Sequence, residues 1–580
     1  MNKIILIITL TLLFAGCKKD PLDITPDGRG TLEDVFKDEK QTEAYLNAVY
    51  NNIPSYFYKY FFFSYLEGAT DNAQDADVGN ESLNVNSKWI TGALNPSYNP
   101  LEDNQNGKGA NHYVTFWRGI KDANVFLANI ASANVPIESN RQRFKGEAQI
   151  LRAFFYLELI KQYGAMPIVE KPFDNTFEYS SLKRPTFQQC IDFIVKECNE
   201  AIANADVPIR IKDDQEKGRF SKAVAYIIKS EALLYNASPL WNSSNDVIKW
   251  RAAAAETKAA LTALTAGNEY QLFPVYEDYF NSTADLNSSP RDKETIFEIN
   301  DGSPGTFTNI NAIAGQTGQF KTGSTPSQEL VDAYEMKATG LPAIAGYSDE
   351  DHLNPIVNAA SGYDANNPYV GRDPRFYASV WYNGALHPRF NGVAYALQIY
   401  KGGAQQLIRT PPSRKNTHTG YYLRKMYNPQ VQGNQGSAAR FKKYHLAELY
   451  LNLAEAENEA NGPNTEAYAA VNVIRARAGM PPMTPSLSKE QFRERVRNER
   501  RVELFMEEHR FWDVRRWKIL TKTDKLVTGM EIIRNGTVLT YNRFVTERRF
   551  AWPDKYLIFP IPITDASIIP DFSLNQNPGW

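Results

Sequence analysis

Apolar residues recur at three- and four-residue steps over several long stretches of the chain. In 141–163 (RQRFKGEAQILRAFFYLELIKQY), Phe144, Ala148, Leu151, Phe155 and Leu159 share one face, and Gly164 follows as a stop. Ile150, Phe154 and Leu157 occupy other faces, so the pattern predicts a helix buried on most sides. Helices are also predicted over 186–205, with Thr186 as N-cap, and over 220–237, opened by Ser221 and closed before Ser238-Pro239. The Ala-rich stretch 247–265 is a further helix, ended by Gly267. Later, 442–460 aligns Leu446, Leu449, Tyr450 and Leu453, and helices over 465–478 and 488–508 follow with Gly or Pro breaks between them. The short connections predict antiparallel pairs, as in TPR-like solenoids, although no self-repeat of about 34 residues is present.

Two regions lack this period. Residues 67–113 and 281–440 are rich in Gly, Asn, Pro, Ser and Tyr and hold only short apolar runs. Loops of such length are functional or disordered, and the aromatic content here favours order. Short strands are predicted at 294–299 (ETIFEI), 378–382 and 393–400. The amino terminus differs again. Lys3 precedes an apolar run from Ile4 to Ala15, too short to cross about 30 Å of hydrocarbon but suited to a signal-peptide core. Ala15 and Gly16 lead directly into Cys17, which resembles a bacterial lipoprotein signal cleaved before a Cys that then carries lipid. Phe14 departs from the usual aliphatic residue, and an ordinary secretory signal with an incidental Cys is the other reading. No other stretch is long and apolar enough for a transmembrane helix.

Composition narrows the classes. The chain has 580 residues with 64 Lys+Arg against 66 Asp+Glu, a balance that argues against a nucleic-acid binder working by phosphate neutralisation. At 43% hydrophobic it can fill a sizeable core, and its length alone would allow about four domains. Three Cys (Cys17, Cys190, Cys198) make neither a disulfide framework nor a four-Cys zinc site. Cys190 and Cys198 lie eight residues apart on one predicted helix and read as buried free thiols. Aromatics are abundant, with 32 Tyr, 31 Phe and 9 Trp.

The search for chemistry is mostly negative: G-x-S-x-G, H-E-x-x-H and C-x-x-C are all absent. Residues 315–322 (GQTGQFKT) loosely suggest a phosphate loop, but Gln319-Phe320 stands where Gly must precede Lys321. His445 and Glu448 are one helical turn apart with no second such pair to build a metal cage, so neither a metal nor a cofactor is expected. Glu494, Glu499, Glu503, Glu507 and Glu508 alternate with Arg493, Arg495, Arg497, Arg500, Arg501 and Arg510. Paired carboxylates invite a glycosidase reading. A salt-bridged helix uses the same residues without chemistry, and neighbouring cations lower the pKa that a general acid needs raised.

These residues also carry a resemblance. RNERRVELFMEEHRFWDVRRW at 497–517 resembles the signature of the SusD/RagB family of nutrient-uptake outer-membrane lipoproteins. Residues 146–167 (GEAQILRAFFYLELIKQYGAMP), 219–237 (RFSKAVAYIIKSEALLYNA), 441–459 (FKKYHLAELYLNLAEAENE), 469–481 (AAVNVIRARAGMP) and the terminal NQNPGW at 575–580 agree with it. The resemblance implies a mainly α fold: a TPR-like helical-pair scaffold with long irregular loop insertions and a few short strands. It implies a signal peptide at 1–16, a lipidated tether at 17–30 anchored at Cys17, and a helical region at 31–280. A loop-rich ligand-binding insertion at 281–440 and a helical region at 441–580 complete one composite unit. The implied protein is no enzyme. It is a lipid-anchored, surface-exposed outer-membrane protein that captures glycans and passes them to a SusC-like TonB-dependent transporter. Peptide capture, as in RagB-like branches, is the alternative, and a lipid-anchored glycoside hydrolase a more distant one.

Ligand contacts in this family come from variable loops, so no motif carries them over, and the chemistry of sugars must choose. Sugar rings stack on aromatic faces, and their hydroxyls suit Asn, Asp and Arg in wet, shallow sites. The candidates are Asp71, Asn72, Trp89, Tyr98 and Asn99 in the first loop region. In the second they are Phe320, Tyr363, Tyr369, Trp381 and Tyr382. Trp89, amid polar loop residues, is the leading choice, whereas Trp117, Trp512 and Trp517 lie in predicted helices and read as core.

Overall fold

A computed structural model describes residues 31–56, 65–77, 85–102, 111–173, 181–213, 216–281, 292–300, 309–316, 318–388, 392–409, 413–427 and 440–580. The expected signal peptide at 1–16 and lipidated tether at 17–30, Cys17 included, lie outside them. The architecture is mainly helical with a few short strands, as the sequence implies.

The longer helices of the first half are α1 (Glu39–Tyr50), α2 (His112–Asn129), α3 (Glu138–Tyr163), α4 (Phe187–Ala203), α5 (Lys222–Ala237) and α6 (Val247–Thr265). The second half adds α7 (Leu446–Asn461), α8 (Thr465–Arg477), α9 (Lys489–Glu503) and α10 (His509–Arg516). Side-chain caps fix their starts. Asn111 accepts from Val114 N at 2.9 Å ahead of α2, and Thr186 with Gln189 forms a capping box on α4. Ser488 and Gln491 do the same for α9. α3 is buried almost all round from Phe144 onward, and Gly164 ends it at φ 73. A Cβ there would meet the Trp241 ring at 3.0 Å.

Successive helices pack in pairs: α2 on α3, α3 on α4, α4 on α5, α5 on α6. The stack continues from α6 to α7 although some 180 residues separate them in sequence, and α7 then packs on α8 and α9. One hydrophobic cluster runs through this scaffold from Phe36 to Phe572. Among the described residues no helix is long and apolar enough to cross a membrane.

The strands pair over long range. β1 (Ala73–Asp75) is antiparallel to β3 (Ser324–Pro326), with Gln74 opposite Thr325. β2 (Thr295–Asn300) pairs with β6 (Arg440–His445), and β4 (Val380–Trp381) with β5 (Tyr422–Leu423). β7 (Leu526–Asn535) and β8 (Val538–Arg548) form a hairpin turning at Gly536, whose φ is 61. A second hydrophobic cluster lies under this hairpin and includes Tyr334, Tyr369, Phe376, Tyr421 and Met530.

Several boundaries differ from those expected. The helix expected over 442–460 begins at Leu446, because 440–445 is drawn into the β2–β6 ladder. The helix expected over 488–508 stops at Glu503, where Met506 and Glu508 adopt positive φ and re-aim the chain into α10. Strand 378–382 shrinks to β4 because Pro374–Ser379 coils into a short helix, and within 393–400 only Tyr395–Ala396 is extended. Helices α1 and α2 and the β7–β8 hairpin have no counterpart among the expected elements. Cys190 and Cys198 are free and buried, and burial pushes the Cys190 thiol up to about 11.

Candidate functional site

The signature segment supplies structure. Arg375 bonds Glu499 at 2.7 Å and Glu503 at 3.0 Å, and Arg475 bonds Glu499 at 2.8 Å. Arg516 grips Glu455 through two bonds of 2.6 and 2.8 Å and also reaches Asp513. These pairs are buried, and all but Arg516–Asp513, which lies within α10, run between elements, unlike the intrahelical pairs that spacing suggested. Burial would raise the Glu499 and Glu507 carboxyls, but Arg375 and Arg475 at one, and Lys425 and His445 at the other, outweigh it and hold both low. His445 sits between Glu294 (3.0 Å) and Glu507 (2.7 Å). Its burial opposes charge, yet the two carboxylates lift it to about 10. Glu499 and Glu507 are thus held charged, the opposite of the state a general acid needs. Lys321 likewise faces no phosphate: it is buried against Asp75 and Asp77.

Five of the sequence-derived ligand residues belong to the interior. Trp89 is 1% exposed and packs against Phe511, Trp552 and Phe559 with ring centroids 5.3–5.6 Å away. Its polar sequence neighbourhood misleads, because α10 and the chain beyond 550 cover it. Trp381, also 1% exposed, lies in β4 beneath the Arg424 guanidinium, 4.3 Å from its ring. Asp71 accepts two 2.8 Å bonds from Arg510 and pairs with Arg501. Burial pushes its carboxyl up, but the two guanidiniums outweigh this and hold it at about 2. Asn72 is buried beside it, donating to Glu67 at 2.5 Å and accepting from Arg501 at 2.6 Å. Asp71 and Asn72 therefore rivet the first loop to the signature segment. Tyr369 is buried as well.

Tyr98 and Asn99 are half-buried at the scaffold, where Asn99 donates to the Tyr163 hydroxyl on α3. Trp117, expected in the core, is only partly buried. Phe320 is 40% exposed, its ring 4.4 Å from the Arg414 guanidinium, which Asp77 holds at 2.8 Å.

What the structure brings together is a tyrosine patch. Buried Tyr369 forms its floor, with Tyr382 at 4.9 Å and Tyr541 at 5.7 Å between ring centroids. Both of these rings are half-exposed, and neither hydroxyl has a hydrogen-bond partner among the described residues. Burial raises both phenols, so they stay protonated and able to donate at neutral pH. Tyr377 stands 5.9 Å from Tyr382, its own hydroxyl fixed by donation to Tyr369 O at 2.7 Å. Tyr363 packs under Arg372, 5.4 Å from its ring. At the hairpin end, Arg534 donates to the Tyr400 hydroxyl at 2.9 Å. The insertion thus contributes Tyr363, Tyr377, Tyr382 and Tyr400, while the hairpin contributes Tyr541 and Arg534. Sequence reasoning missed the hairpin's share, though Asn535-Gly536 between alternating apolar residues (IIRNGTVLTY) is a recognisable turn signal.

Comparison with known proteins gives a coherent set. The family model described as SusD family matches residues 282–580, and one described as starch-binding associating with outer membrane matches residues 33–234. SusD-like protein P38 of Formosa agariphila is 23% identical over 444 residues, 74% of each chain. A SusD-like protein from Bacteroides fragilis superposes with a TM-score of 0.75 at 27% identity, covering 95% of this chain and all of that one. A SusD-like carbohydrate binding protein from the same species gives 0.71 at 22% identity, covering 93% and 99%.

Proposed function

This chain belongs to the SusD family, and from that premise we propose that it is a cell-surface lipoprotein that captures oligosaccharide or polysaccharide nutrients. In this reading it is tethered through lipid on Cys17 and delivers its ligand to a SusC-like TonB-dependent outer-membrane transporter. It does no chemistry on the ligand.

The observation that carries glycan capture is the pair Tyr382 and Tyr541, half-exposed rings with open hydroxyls over a buried tyrosine floor. A sugar ring lies against such faces while its hydroxyls exchange bonds with the phenols and with water. Because Tyr369 and Phe376 wedge Tyr382 from behind, little side-chain entropy remains to be lost on binding. Phe320, steadied by Arg414, offers a second, separate aromatic face in the same insertion. The descriptions of one matching family model and of one structural neighbour, starch-binding and carbohydrate binding, support the same ligand class.

Calorimetry on the mature protein against a panel of soluble polysaccharides tests this. One glycan class is expected to bind, and the double variant Tyr382→Ala/Tyr541→Ala to weaken it at least about tenfold. If peptides bind at the patch and no glycan does, the chain is a peptide-capturing RagB-like protein. Release of reducing sugar would make it a hydrolase.

A further inference from the structure

The two arginines on the inward face of the β7–β8 hairpin are used in opposite ways. Arg543 stands opposite Met530, and Asp332 takes it through two bonds of 2.6 and 2.8 Å. Arg534 stands opposite Leu539 and has no carboxylate partner among the described residues. Its Nε donates to Gly536 O within its own turn and its Nη1 to the Tyr400 hydroxyl, both at 2.9 Å. The side chain is exposed, and its Nη2 makes no bond among the described residues.

An exposed arginine ordinarily loses side-chain freedom on binding. Here the two bonds and the Tyr400 ring, 5.1 Å from the guanidinium, already restrict it. Tyr400 is itself tied down. Its backbone N–H and that of Ile399 donate to Asn383 Oδ1, next to Tyr382, and the Lys401 N–H donates to Ile532 O at 2.8 Å. These bonds join Tyr382, Tyr400 and the hairpin into one surface. Tyr541 lies opposite Ile532, so Arg534 is its diagonal neighbour on the same face, about 7–8 Å away. The Tyr400 hydroxyl accepts from Arg534 and keeps its own proton to donate.

Acceptors are scarce at this margin. Between Tyr363 and Lys401 the sequence holds two carboxylates: Asp364 accepts from Asn367, and Asp373 from Arg375, both at 2.7 Å. On the hairpin, Glu531 belongs to the outward face, opposite Asn542, and Glu547 stands at the far end, opposite Val527. Glu277 is held by Arg424. A neutral sugar needs acceptors for its hydroxyl protons as well as donors for its oxygens. This margin offers phenol oxygens as acceptors, while donors and positive charge gather at its Arg534 end. A carboxylate only accepts, and it matches a guanidinium edge through two parallel bonds.

We propose that the patch selects acidic polysaccharides, taking a uronic acid residue whose ring lies against Tyr541 and whose carboxylate meets Arg534 and the Tyr400 hydroxyl. The inference rests on the glycan-capture reading and narrows it to one charge class. The fold supplies a carboxylate, Asp332, to one hairpin arginine, and the ligand supplies the carboxylate for the other. Tyr382, which shares the Tyr369 floor with Tyr541, takes a neighbouring sugar residue by its ring face. The site thus reads charge at one end and shape at the other.

Calorimetry on the mature protein tests this with matched probes: alginate, polygalacturonate and a glucuronan, each against its carboxyl-reduced form, which keeps the linkages and loses the charge. At least one uronan is expected to bind about tenfold or more tighter than its reduced form at low salt, the gap narrowing as salt rises. Arg534→Gln is expected to remove most of that gap. Arg534→Lys should restore only part of it, since an ammonium keeps the charge but not the fork. The melting temperature should not move in either variant, because Arg534 is exposed. If starch or another neutral polysaccharide binds at the patch and no uronan outbinds its reduced form, the acidic assignment is wrong while glycan capture stands. If a sulfated galactan binds through Arg534 and no uronan does, the carboxylate assignment is overturned. If no glycan of either charge binds, glycan capture itself falls, and this proposal with it.

Discussion

The signature helices and the tyrosine patch are both crowded with side chains that could touch a ligand, and they use them in opposite ways. In α9 and α10, Glu499, Arg500, Glu503, Asp513 and Arg516 are buried, and each of these groups faces an opposite charge on another element. Their electrostatics are complete within the fold. On the patch, Tyr382 and Tyr541 are half-exposed, and their hydroxyls have no hydrogen-bond partner among the described residues. Density of functional groups alone therefore says little. What distinguishes a binding surface from a scaffold is whether the groups are satisfied internally.

Breaking a satisfied pair should have the largest effect. Arg516→Met removes both bonds to Glu455 and the contact with Asp513, stranding buried carboxylates. It is expected to cost about 3–5 kcal/mol, read as a lowered urea midpoint at unchanged slope. Trp89→Ala belongs to the same class: about 3–5 kcal/mol of stability from the cavity it opens against Phe511, Trp552 and Phe559.

A second probe is acid. Asp71 titrates at about 2 when folded and near 3.8 when free, so its depressed pKa stabilises the protein above pH 4. That contribution, about 2 kcal/mol, disappears as pH falls from about 4 to 2. Urea midpoints across this window should fall in the wild type, and less steeply in Asp71→Asn, which starts lower because Arg510 and Arg501 lose their partner.

The patch should answer differently. Tyr382→Ala/Tyr541→Ala is expected to remove about 1.5 kcal/mol or more of glycan affinity by calorimetry, with the urea midpoint changing far less than in Arg516→Met. The smallest effect sharpens the comparison most: Tyr541→Phe keeps the ring and deletes only the open hydroxyl, for about 0.5–1.5 kcal/mol of affinity and no loss of stability. Equal effects of the alanine and phenylalanine variants would assign the contact to the hydroxyl rather than to stacking.

Much of the scaffold was legible in the sequence because its determinants are local. The α6 boundaries, Val247–Thr265, coincide with the periodic segment, and the Thr186 cap of α4 stands where expected. α2 could have been read as well, since Tyr113, Phe116, Ile120, Ala123 and Phe126 keep a helical spacing and are all buried. The candidate site was less legible. Tyr382 was identified, but Tyr541 joins the patch, against Tyr369, only through a hairpin some 160 residues after Tyr382 in the chain. Trp89 was misjudged because what buries it arrives from residues 511, 552 and 559.

By itself, then, the sequence determined most of the scaffold helices, several of their caps and the charged signature segment that points to the family. These follow from neighbours within a few turns or from charges too numerous to leave unpaired. Only the tertiary structure decided which aromatic residues face water. Exposure of a ring depends on what packs over it, and for Trp89, Trp381 and Tyr541 the packing partners or supports include segments remote in sequence, brought close by the fold.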